Sequence, residues 1–127
     1  MTGLRDLVAL VTGASRGAGR AIARELGAAG ATVYVTGRSV DGGPGTNGLP
    51  GTIDETAREV TSSGGRGIAV RCDHTIDAEV AALFGRVRGE QGRLDVLVNN
   101  VWGGYEDPAC RPLPLLPFWE QPLDQWD

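Results

Sequence analysis

Between Val8 and Arg20 the chain reads VALVTGASRGAGR, a stretch that fits a strand turning directly into a helix. Leu7 to Val11 is a short apolar run, as expected of a buried parallel strand. Gly13, Gly17 and Gly19 follow in close succession, and an alanine-rich helical pattern begins at once. Strand, glycine-rich turn and helix in this order make a phosphate-binding βα unit. Gly13 allows a tight turn, while Gly17 and Gly19 leave no side chain between the helix N-terminus and a pyrophosphate. The helix dipole, worth about half a positive charge at that end, favours an anion there.

The same letters hold a second pattern. Gly13-Ala14-Ser15-Arg16-Gly17 fits GxSxG, the nucleophile elbow of ester hydrolases, which also lies between a strand and a helix. That architecture needs earlier strands and a preceding loop that supplies half of an oxyanion hole. Too few residues precede Ser15 to build them, and the sole histidine is His74. The phosphate reading is the one the surroundings support.

A chain of 127 residues suits one domain with a single core. No apolar run approaches the ~18 residues of a membrane span, and Met1 to Asp6 has no signal-peptide core. A net charge of −4 argues against a non-specific nucleic-acid binder. Cys72 and Cys110, far apart in sequence, fit reduced thiols and a cytoplasmic location. Cys72 and His74 have no second cluster to complete a metal site, so no metal is expected. All 12 basic residues are arginine, so chemistry that needs a lysine ammonium is absent from this polypeptide.

Beyond the glycine turn, Ala18, Ile22, Leu26 and Ala29 recur at helical spacing and predict the face laid on the sheet. Gly30 is placed to end that helix in the left-handed conformation. Ala31 to Thr36 predicts a second strand, and the loop from Gly37 to Gly51 carries five glycines and two prolines after Val40. Thr52-Ile53-Asp54-Glu55 is a capping box that opens a helix with Ile53, Thr56, Ala57 and Val60 inward. Gly67 to Arg71 predicts a third strand. Thr75 is expected to cap the next helix, whose inward face is Val80, Leu83, Phe84 and Val87. Leu94 to Asn99 predicts a fourth strand covered on both faces. The resulting βαβαβαβ order predicts a parallel, doubly wound α/β sheet. Right-handed crossovers give the strand order 3-2-1-4 and put the ligand crevice between strands 1 and 4. The prolines after residue 107 preclude a continuous helix, so 108–127 reads as an apolar, proline-rich tail on a single domain whose core is 1–107. That tail would either cover a pocket mouth or dock on the core.

The spacing Thr12-Gly13-x-x-x-Gly17-x-Gly19 resembles the short-chain dehydrogenase/reductase family rather than the tighter GxGxxG form. The resemblance runs through the whole chain, which stops about halfway through the family's usual length. It implies a Rossmann-type fold truncated after the fourth strand, and a nicotinamide dinucleotide as cofactor. The implied cofactor-binding residues are Gly13, Ser15, Arg16, Gly17, Ala18, Gly19, Arg38, Ser39, Asp73, Asn99 and Val101. Asp73 matches the position that contacts adenine. Asn99-Asn100-Val101-Trp102 resembles the family's Asn-Asn-Ala-Gly element, in which Asn99 would tie neighbouring strands and line the cleft. Trp102 replaces glycine there; its indole would narrow the nicotinamide end, or Gly103-Gly104 would take over the backbone freedom.

An acid about twenty residues after the glycines bonds the ribose of NAD, whereas a basic residue accommodates the 2′-phosphate of NADP. Gly37-Arg38-Ser39 occupies that place, and Arg16 resembles the family's second NADP-selecting position. Two guanidiniums on one phosphate, each bond worth ~1.5–3 kcal/mol, point to NADP. Family chemistry, the interconversion of a carbonyl and an alcohol, relies on a serine, a Tyr-x-x-x-Lys pair and an upstream asparagine. No such set is found: the last serine is Ser63, there is no lysine, and Tyr105 has no lysine after it. The expectation is therefore a cofactor-binding half of an oxidoreductase, the alternative a dinucleotide-binding or interaction module without chemistry. The outer edge of strand 4 is expected to promote self-association and marginal folding.

Overall fold

The computed structural model describes residues 3–45, 48–103, 117–120 and 123. Its elements run β1 (Val8–Val11), α1 (Gly17–Ala28), β2 (Thr32–Gly37), α2 (Ile53–Ser62), β3 (Arg66–Arg71), α3 (Asp77–Gln91) and β4 (Val96–Val98). A 3₁₀ turn, Phe118–Glu120, stands apart in the proline-rich segment, most of which lies outside the described residues, as do Tyr105 and Cys110.

All strand pairs are parallel and the sheet order is β3-β2-β1-β4, as the crossover rule predicts. β1 is central and its four residues are buried. Alternation along β1 sends Ala9 and Val11 into one core with Ala23, Ile53 and Val60, that is, towards α1 and α2. Val8 and Leu10 face the other way, towards Leu83 and Val87 of α3. Helices thus cover both faces of the sheet.

Three local expectations change. The seam of α1 is Gly19, Ala23 and Gly27, whereas Ile22 is 36% exposed. Leu26 packs against the core as read, but along the seam itself the helix lies too close to its neighbours to admit a larger residue. A Cβ on Gly19 would meet the Gly13 carbonyl oxygen at 2.4 Å, and one on Gly27 would meet Val60 at 2.8 Å. Small residues let backbones approach, and α1 is held close. Secondly, α3 begins after Ile76 with no side-chain cap. Thr75 bonds Asp73 instead, through both its N–H and its hydroxyl, at 3.0 and 2.7 Å to Oδ1. Thirdly, β4 is short and only partly covered. Leu97 is 45% exposed, and Phe84 of the predicted inner face of α3 is 36% exposed. α3 lies over β1 and β2, and among the described residues β4 pairs with β1 alone.

Other termini follow their local chemistry. α1 ends at Gly30 (φ +97°), whose N–H bonds the Gly27 carbonyl while Ala31 reaches the Leu26 carbonyl, satisfying two orphan acceptors. α2 opens with the reciprocal capping box: Glu55 N–H donates to Thr52 Oγ1 at 3.1 Å and Thr52 N–H to Glu55 Oε2 at 3.3 Å. All four residues read as its inward face are buried. Since α2 carries Ile53 into the core below the β2 exit, its cap fixes the entry of the long loop. Replacement of Thr52 by alanine is expected to cost about 1–2 kcal/mol, read as a lower urea midpoint with an unchanged m value.

Candidate functional site

The four strands end on one side of the sheet, where their loops surround a cleft of about 440 Å³. Gly13, Ser15 and Arg16 come from the glycine turn; Gly37, Arg38 and Ser39 from the end of β2. Cys72 to Thr75 follow β3, Asn100 to Gly103 follow β4, and Leu49 reaches in from the long loop. Carboxyl ends flanking a point where the strand order reverses are where open α/β sheets bind ligands.

The glycine turn divides its labour differently from the sequence reading. Gly13 (φ +64°) and Gly17 (φ +60°) adopt left-handed backbone that other residues resist. A Cβ on Gly17 would meet nothing within 4 Å, so this residue keeps the space before the helix clear. Gly19 is buried under the Gly13 carbonyl, so its smallness serves packing rather than ligand approach. Ala18 is exposed on the first turn of α1. The start of α1 also lacks the groups that satisfy the other helices. Its N-cap residue Arg16 makes no side-chain capping bond and its first turn has no acid, whereas α2 has a capping box and α3 has Asp77 and Glu79. First-turn N–H groups and the positive dipole end at Gly17 are therefore suited to an anionic ligand. The residues present fit a pyrophosphate.

Arg16 is directed sideways. Its Nε donates to the Pro50 carbonyl and its Nη2 to Ser39 Oγ, both at 3.0 Å. The two places read from sequence as phosphate-selecting, Arg16 and Arg38-Ser39, are thus brought together on one wall of the cleft. Asp73 stands on the same wall. Its carboxyl is held below the usual range first by the Thr75 hydroxyl and N–H, with the charges of Arg38 and Arg71 adding to the effect. It is a fixed anion and hydrogen-bond acceptor at neutral pH. Burial, aided by the charges of Glu79 and Asp73, pushes the Cys72 thiol up, so it is not a ready nucleophile.

At the β4 end, the strand-tying role assigned to Asn99 belongs to its neighbour. Asn99 is exposed and does not line the cleft. Asn100 Nδ2 donates to the carbonyls of Thr12 and Gly13, both at 3.0 Å. Thr12 Oγ1 in turn accepts the N–H groups of Asn100 and Val101, each at 3.0 Å. Successive residues of an extended chain point to opposite faces. Two adjacent asparagines therefore left the choice to the exact register of β4. Val101 and Ser15 both line the cleft. Sequence reasoning passed over Thr12, whose hydroxyl was visible in the motif but lacked a partner until β4 was placed. It also gave no role to His74, which lines the cleft and has Nε2 2.8 Å from Thr36 Oγ1.

Fold and site together define a doubly wound α/β unit with a cleft at the carboxyl ends of its strands. The family profile for short chain dehydrogenase matches residues 7–114. The chain belongs to the short-chain dehydrogenase family, a family of oxidoreductases that bind nicotinamide dinucleotides. It is 46% identical to dehydrogenase/reductase SDR family member 1 of Mus musculus over 98% of its own length and 36% of that protein's. A metagenomic short-chain oxidoreductase in complex with NADP superposes with a TM-score of 0.67 at 40% identity, covering 78% of this chain and 40% of that one. The NADH-dependent reductase A1-R′ complexed with NAD gives 0.65 at 31%, covering 80% and 38%. The chain spans about a third of the length of the curated relatives it matches. Among the described residues no helix is long and apolar enough to cross a membrane.

Burial holds the His74 imidazole below its ordinary value, against the opposing pull of Asp73 and Glu79. An unfolded histidine gains its proton as pH falls through about 6.5, while the folded one stays neutral to lower pH. The stabilisation from a neutral His74 is complete above that value and is lost as pH drops below it. The carboxylates held low by their partners release their contribution only at more acid pH. The melting temperature should therefore fall between about pH 7.5 and 5.5, and by less in His74→Gln than in the wild type.

Proposed function

We propose that this chain is the NADP-binding part of a cytoplasmic oxidoreductase that interconverts a carbonyl and an alcohol. The observation that carries the reading is the cleft wall on which Arg16 meets Ser39 beside Arg38, with the uncapped start of α1 directly after Arg16. The start of α1 would hold the pyrophosphate. The guanidiniums of Arg16 and Arg38, with the Ser39 hydroxyl, would hold the ribose 2′-phosphate, because no carboxylate occupies the end of β2 to repel it. Asp73 would accept from the adenine amino group, and Val101 would line the path towards the other ring. A solved relative in complex with NADP supports this choice, and another complexed with NAD supplies the competing one.

Bound reduced, the dinucleotide would supply a hydride. What this chain adds is binding and orientation: among its 127 residues there is no lysine and no serine after Ser63, so it carries no Tyr-x-x-x-Lys pair to deliver the accompanying proton. That absence favours a second reading, a dinucleotide-binding module without chemistry of its own. Calorimetry with NADPH and NADH, followed by assay of the same sample with a panel of ketones and aldehydes, tests both. NADPH is expected to bind at least about tenfold more tightly than NADH, with the gap closing in Arg38→Ala, and without turnover. Equal affinities would refute the NADP preference, and ketone reduction by the 127-residue chain would refute its catalytic incompleteness.

The outer edge of β4 is the proposed route of self-association, since unpaired strand edges template pairing. Leu97 of the same strand adds exposed apolar surface. Sedimentation velocity over a range of concentrations should show mass rising with concentration, and a monomer throughout would contradict this.

A further inference from the structure

The cleft has two ends of unlike chemistry. Arg38, Ser39, Asp73 and Thr75 make the end over β2 and β3 polar and charged. At the opposite end, over β1 and β4, the wall is Asn100, Val101 and Trp102. Gly13, Ser15 and Arg16 of the glycine turn also line the cleft, and α1 starts at the next residue. A dinucleotide with its 2′-phosphate at the first end and its pyrophosphate at the glycine turn would carry its second ring to the other end.

Trp102 stands there with 62% of its surface exposed. The backbone leading to it is closely held. Asn100 and Val101 donate to Thr12 Oγ1, and a Cβ on Gly13 would lie 2.9 Å from Val101 Cα. The indole is therefore carried one residue beyond the last anchored N–H, just after β4. A large aromatic surface exposed on the wall of a binding cleft has ring stacking as its natural use. An indole has only two side-chain torsions to fix when it stacks, so little rotamer freedom is lost.

We propose that Trp102 is the ring-stacking residue of this cleft: its indole covers one face of the nicotinamide. It thereby selects for ligands that carry a planar ring at the β4 end over those that stop at the pyrophosphate. The inference rests on the dinucleotide reading given above. It assigns a ligand contact to a position where the family pattern has glycine and so makes no such contact.

The test compares NADPH with 2′-phospho-ADP-ribose, which has the same adenosine and pyrophosphate but no nicotinamide. Trp102→Ala is expected to weaken NADPH about tenfold and to leave 2′-phospho-ADP-ribose within about twofold by calorimetry. Trp102→Phe should keep most of the NADPH affinity. Unchanged binding of 2′-phospho-ADP-ribose shows that each variant is folded with its cleft intact. Equal losses for the two ligands, or a loss for neither, would overturn the stacking role while leaving the dinucleotide reading in place. Failure of the wild-type chain to bind either ligand would remove both readings.

Discussion

Thr12 Oγ1 receives the N–H groups of Asn100 and Val101, while the Asn100 carboxamide returns two bonds to the carbonyls of Thr12 and Gly13. Two parallel strands from distant parts of the chain are thereby stitched together just where each leaves the sheet. Thr12 N–H and hydroxyl also donate to the Val98 carbonyl at 3.1 and 3.3 Å. Each bond to a buried group is worth a modest net sum, about 0.5–1.5 kcal/mol, but leaving one unmade costs more. The consequence is geometric as much as energetic. Gly13 is pressed against Val101 and Gly19 against Gly13, so the glycine turn, the exit of β4 and the start of α1 form one rigid piece.

The other walls of the cleft are positioned from that piece. Ala14 N–H bonds the Thr36 carbonyl, which joins the turn to β2, and Cys72 N–H bonds the Gly37 carbonyl, which joins β2 to the exit of β3. Arg16 then spans from the turn to Ser39 and to Pro50, so the long glycine-rich loop is drawn back over the cleft. At the opposite rim of the sheet the same logic applies: the Asp95 carboxylate accepts Val8 N–H at 2.8 Å and is itself held low by Arg93. β4 has few residues but is bonded at both ends.

Electrostatically the three helix starts differ for a reason. Those of α2 and α3 are furnished with acids from the chain itself, and α2 with a full capping box. α1 has neither, and its first residue is a glycine with open space before it. A helix that leaves its positive end uncapped is less stable alone than it would be with an anion in place. The arginines nearby extend the same positive field towards β2.

Much of this was legible in the letters. Apolar runs, glycines at the turn and the capping box of Thr52 act through neighbours in sequence, and the right-handed crossover constrains how strands separated by helices can pair. Hence the parallel α/β sheet, its order and the location of its cleft were determined by the sequence alone. What needed the tertiary structure was anything settled by distances between segments. The face of α1 was chosen by how near the helix lies to the Gly13 carbonyl, so small residues displaced Ile22 from the seam. The choice of Asn100 over Asn99 depended on the register of β4 against β1, since a shift of one residue turns a side chain to the opposite face. The cover over Leu97 depended on where α3 comes to rest. Local pattern states which residues prefer to be buried; only the packed elements decide which of them are reached.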